Sequence, residues 1–177
     1  MDEAHREPGI DGFVRHYLKN VIFGANDGVI TTLAVVSGVV GASLSTRVIL
    51  ILGFAKLVAD GFSMGASDFL SSRSEPSVED RPAHREATRH AAATFVGFVL
   101  AGFVPLVAYL IPGIDARFRL SLALTLAALF GIGAGRALFS DRRWLRAGLE
   151  MLGVGLAAAG VAYGVGALAA HLTGGGI

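Results

Sequence analysis

With 53% hydrophobic and only 16% charged residues over 177 positions, and a mean hydropathy of +0.61, the chain is too apolar for a soluble domain. A net charge of +1 offers nothing to nucleic acid, and the absence of cysteine excludes disulfides, thiolate metal sites and cysteine nucleophiles. What remains is an all-α integral membrane protein, a class in which the 24 glycines allow helices to approach closely.

Residues 1–20 form an N-terminal segment in which Asp2, Glu3 and Glu7 precede any apolar run, unlike a signal peptide. Phe13, Val14, Tyr17, Leu18 and Val21 recur at helical spacing with Arg15, His16 and Lys19 between them. That pattern fits either a helix lying on the membrane interface or a plain extension of the first span.

A five-helix transmembrane domain is expected over 21–172. Its stretches at 21–43, 48–70, 91–112, 119–139 and 148–171 each have the roughly 20 apolar residues that a bilayer crossing needs. The first two are joined so tightly that they form a hairpin.

The basic residues predict the orientation. Arg6, Arg15 and Lys19, then Arg73, Arg81, Arg85 and Arg89, then Arg136, Arg142, Arg143 and Arg146 fall on one side. Arg47, Arg117 and Arg119 fall on the other. The N-terminus is therefore expected in the cytoplasm and the C-terminus outside. The membrane is the cell inner membrane in a prokaryote, or a vacuolar or other endomembrane in a eukaryote.

The informative residues are the acids inside the spans. A charge at the bilayer centre costs about 2.5–3.5 kcal/mol on insertion scales, so an intramembrane carboxylate is a functional candidate by default. At a rise of about 1.5 Å per residue, Asp27 and Met64 each lie roughly 10 Å in from the cytoplasmic side and Asp60 roughly 16 Å. Lys56, Asp60, Met64 and Asp68 recur every four residues and form one polar stripe on span two. Asp68 is read as interfacial and solvated.

Carboxylates bind most divalent ions, while a thioether suits softer transition metals. Asp27, Asp60 and Met64 together predict a path for Fe²⁺, Mn²⁺, Co²⁺ or Zn²⁺. Asp27 and Asp60 are also candidates for proton coupling, because a carboxylate far from water can alternate between a proton and a metal. Competing readings stand beside these. Asp60 with Lys56 at i−4 makes an internal ion pair that neutralises both, Asp27 caps a helix starting at Gly28, and Met64 is core packing. A two-fold dimer is expected, because five helices cannot easily enclose an aqueous path while burying their own polar stripe.

Two segments carry a resemblance. Val21-Ile-Phe-Gly-Ala-Asn-Asp-Gly-Val-Ile-Thr-Thr and Ala55-Lys-Leu-Val-Ala-Asp-Gly-Phe-Ser-Met-Gly-Ala-Ser-Asp-Phe-Leu-Ser-Ser-Arg-Ser-Glu75 resemble the vacuolar iron transporter family. Thr94-Phe-Val-Gly-Phe-Val-Leu-Ala-Gly-Phe-Val-Pro-Leu106 looks like that family's third helix, and 153–166 like its fifth. The resemblance implies a homodimer of five-helix subunits with the pore between them. It also implies export of Fe²⁺, and often Mn²⁺, from the cytosol in exchange for protons. Asp27 matches the family's pore aspartate and Met64 its helix-two methionine.

Two departures matter. Lys56 stands where plant-type members carry a pore glutamate, so Lys56 is expected to modulate the site. It also supports an alternative reading, the same fold moving another solute or serving as a membrane scaffold. Residues 71–90 are too short for the three-helix metal-binding domain of many members. They still hold two pairs with i, i+4 spacing, Asp80 with His84 and Glu86 with His90. Those pairs read as a solvated linker or as a weak capture site for incoming metal. No GxSxG or HExxH spacing appears, so an enzyme is not expected, and no prosthetic group is implied.

Overall fold

The structure is a computed structural model, which describes the backbone of residues 10–74, 83–137 and 143–174. Side chains are described for 17–71, 87–137 and 143–174. Among the described residues six helices follow in order: α1 (Ile10–Gly41), α2 (Thr46–Ser74), α3 (Ala83–Gly102), α4 (Val104–Leu110), α5 (Arg117–Arg136) and α6 (Trp144–Leu172). No strand occurs among the described residues.

Four helices contain stretches long and apolar enough to cross a bilayer: Tyr17–Gly41, Thr46–Ser71, Arg117–Arg136 and Trp144–Leu172. A fifth crossing is available if α3 and α4 act as one bent unit, with 41° between Ala87–Gly102 and Val104–Leu110. The unbroken run expected over 91–112 is therefore two helices. Pro105 is the physical reason, since it has no N–H to donate and its ring collides with the carbonyl four residues back. From Ile10, the first described residue, α1 runs unbroken into the first apolar stretch.

The α1–α2 turn follows from local hydrogen bonding. The Leu44 amide donates to the Val39 carbonyl at 3.1 Å and the Ser43 amide to that of Val40 at 2.9 Å, with Ser43 at φ +58°. This is a Schellman ending with serine in the left-handed position that glycine usually fills.

Helix α1 is the centre of the bundle, packed against α3, α6, α2 and α5. Its approach to α3 needs glycine. A Cβ on Gly24 would sit 2.2 Å from the Thr94 carbonyl oxygen, and one on Gly28 would sit 2.3 Å from that of Phe98. Gly97 meets the Val21 carbonyl oxygen in the same way from the α3 side, at 2.4 Å. Helix α6 crosses the other end of α1, where a Cβ on Gly166 would fall 2.0 Å from the Gly38 carbonyl oxygen.

The core has two parts. Val36, Val39, Ile49, Leu57, Phe98, Leu106, Ala108 and Tyr109 form one cluster, and Val29, Leu129 and Met151 form the other. The outside is apolar too, with Phe62 71%, Leu100 69% and Val161 69% exposed. Such a surface suits a bilayer and is unfavourable in water.

Candidate polar site on the first two spans

Helix α2 carries Lys56, Asp60, Met64 and Asp68 at successive turns, so all four fall near one face. The ε-ammonium of Lys56 donates to Oδ2 of Asp60 and closes an ion pair within a single helical turn. Both side chains are about two-fifths exposed (40% and 37%), so the pair sits at an open edge. This is the internal pairing that the spacing offers, and it takes up one oxygen of Asp60.

Asp27 arrives from α1. It is half-buried, and its carboxylate lies within electrostatic reach of both Asp60 and Lys56. The helix is continuous through Asp27, so this residue does not cap a helix beginning at Gly28. The Thr31 hydroxyl donates at 2.8 Å to the Asp27 backbone carbonyl, which leaves the carboxylate itself without a hydrogen bond among the described residues. The structure thus brings Asp27, Asp60 and Lys56 into one charge field. Met64, one turn beyond Asp60, is half-buried and packs on the cluster that contains Leu57 and Phe98.

Asp68 corrects an expectation. It is not simply solvated: its Oδ2 accepts from Thr94 Oγ1 at 2.6 Å and from Asn20 Nδ2 at 2.8 Å. Thr94 is 2% exposed, and Asn20 also reaches its hydroxyl at 3.4 Å. This three-residue knot ties α1, α2 and α3 together at one end. Sequence reasoning missed Asn20 and Thr94 as its partners. The available signal was the fourth position of the acidic stripe, which needed a polar answer on neighbouring helices. A second orphan lies next to Asp27, because the Asn26 side-chain oxygen is buried with no partner among the described residues.

The 71–90 connection is only partly accessible. Asp80 and the side chains of His84 and Glu86 lie outside the described residues. His90 is described, with its ring centroid 5.0 Å from that of Tyr17. Among the described residues no three His, Cys, Asp or Glu side chains come together in a way that could hold a metal ion. What one chain presents is an unbonded carboxylate, a lysine-paired carboxylate and a thioether.

A helical bundle with an apolar exterior and acids lodged within its apolar helices defines a polytopic membrane protein with a polar intramembrane site. Comparison with known sequences makes this specific. The profile of the VIT family matches residues 18–90 and 76–167, and the chain belongs to that family. It is 29% identical over 167 residues to vacuolar iron transporter homolog 5 of Oryza sativa subsp. japonica, covering 85% of this chain and 79% of that one. It is 28% identical over 176 residues to vacuolar iron transporter homolog 3 of Arabidopsis thaliana, covering 92% and 88%. A vacuolar iron transporter of Toxoplasma gondii is 40% identical over 70 residues, which is 40% of this chain but only 23% of the other.

Proposed function

We propose that this chain is a membrane transporter of divalent transition metal, carrying Fe²⁺, and Mn²⁺ as a second substrate, out of the cytosol by proton antiport. Two copies form the pore, each with five spans, the N-terminus in the cytoplasm and the C-terminus outside. Asp27 is the principal metal ligand and proton carrier, Met64 the soft ligand, and Asp60 a second carboxylate whose availability Lys56 controls.

The observation that carries this reading is the state of the Asp27 carboxylate. It is half-buried, has no hydrogen bond among the described residues, and lies within electrostatic reach of a lysine that pairs with Asp60. A carboxylate left open in this way can take a cation or a proton. Names of relatives across most of the chain's length supply the iron. Pairing of Lys56 with Asp60 removes the repulsion that a free lysine would exert on an entering cation. Two copies would supply the further ligands that one chain lacks.

The test is Fe²⁺ uptake into proteoliposomes loaded with a pH-sensitive dye. Wild type is expected to move Fe²⁺ and protons in opposite directions. Asp27→Asn is expected to lower the flux at least about tenfold, the equivalent of 1.4 kcal/mol in binding or barrier. Undiminished flux in that variant would overturn the assignment of Asp27.

A further inference from the structure

At the end of the bundle opposite the last turn of α2 and the first turn of α3, the α1–α2 turn faces the start of α5 across an open cleft of about 450 Å³. Tyr109 lines it from α4 and Arg117 from α5. Tyr109 is only 7% exposed, yet its hydroxyl has no partner among the described residues. A buried hydroxyl left unpaired is costly and uncommon, so it marks a place where something else bonds.

Arg117 repeats the signal. One terminal nitrogen reaches Thr46 Oγ1 at 3.3 Å, while Nε is buried without an acceptor among the described residues. Asp115 lies on the rim, exposed and not paired with Arg117. The hydroxyl of Tyr109 is close enough to Arg117 to feel its charge. Helix α5 begins at Arg117 after Ala116, which has no side chain to cap the first amides of this 20-residue helix.

These are three kinds of donor at one cleft: a phenol, a guanidinium and the positive end of a helix. A guanidinium and a helix N-terminus both favour oxyanions, phosphate above all. The cleft surface is mainly polar, and Leu44, Ile49 and Phe118 in its lining offer contact to an apolar group attached to the anion. We propose that this cleft binds a phosphate oxyanion held by the Tyr109 hydroxyl, the Arg117 guanidinium and the first amides of α5. The chemistry is shared by the headgroup of a phospholipid and by phosphate in solution. The inference is independent of metal transport, since none of its residues belongs to the polar site on α1 and α2.

The test uses the full chain in neutral detergent and follows Tm. One arm titrates inorganic phosphate against chloride at matched ionic strength. The other dopes the micelles with phosphatidic acid, against diacylglycerol as the headgroup-free control. Near saturation the ligand is expected to raise Tm by about 4 °C. At least half of that rise is expected to vanish in Arg117→Gln and in Tyr109→Phe, the latter removing one oxygen while keeping the ring in the core. A response to phosphate alone supports the site with a soluble anion, and a response to phosphatidic acid alone supports it with a lipid. No response in either arm, or an equal response in wild type and Tyr109→Phe, overturns the proposal.

Discussion

Lys56 and Asp60 form the charge pair on which the polar site turns. Removing only the lysine strands a carboxylate on an apolar helix, so Lys56→Met is expected to lower Tm. Adding Asp60→Asn should recover most of the loss. The coupling measured by this double-mutant cycle is expected to be about 1 kcal/mol, kept small because both groups sit at an open edge. Thr94 is a harder test, because its buried hydroxyl donates to a carboxylate. Thr94→Val is expected to cost about 1.5–3 kcal/mol in a reversible unfolding assay, against a few tenths for a substitution at exposed Ser63. At this scale the sequence named the acids and one of their partners, Lys56, but not the rest. The pairing of Lys56 with Asp60 was legible, because it is local and a helix places i and i+4 side by side. The Asn20–Asp68–Thr94 knot was not, because its members come from three helices and meet only when those helices pack. The cleft donors Tyr109 and Arg117 were hidden for the same reason.

Helices and apolar runs are not the same thing in this chain: α1 is helical from Ile10 and α3 from Ala83, ahead of the apolar runs expected from 21 and 91. In the third run hydropathy continues through Pro105 without a break while the backbone cannot. Hydropathy measures side-chain affinity for lipid and is blind to a missing N–H. The Ser121 hydroxyl, donating at 2.6 Å to the Pro105 carbonyl, secures the bent segment against α5. Glycines govern how the helices meet. Gly28→Ala places a methyl group 2.3 Å from a main-chain oxygen, and backbone gives way less readily than a side chain. The expected cost is about 1–3 kcal/mol, read as a lowered denaturation midpoint. Gly131, with nothing within 4 Å of its Cβ position, serves as the control whose alanine variant should melt at or above wild type.

The molecule as a whole leaves an apolar face on α2, including Ile51, Val58 and Phe62, beside the Lys56–Asp60 pair. A second copy against this face is the assembly the proposed function needs. Because the chain has no cysteine, single-cysteine variants report contacts without background. Phe62→Cys in native membranes is expected to give an oxidised band at twice the monomer mass. Leu168→Cys on α6, 58% exposed, is expected to remain monomeric. Equal cross-linking at both positions would point to random collision and remove support for a two-fold pore lined by α2.

The glycine contacts between α1 and α3 carry a mechanical consequence. Gly24, Gly28 and Gly97 set backbone against backbone, with no flexible side chain between the two helices to act as a bearing. Helix α1 therefore cannot roll or slide on α3 without breaking main-chain contact along the crossing. Asp27 sits within that crossing, between Gly24 and Gly28 and so between two points of clamping. In the proposed transport cycle the main chain at Asp27 therefore stays in register with α3, and any stroke comes from the Asp27 side chain itself or from other helices.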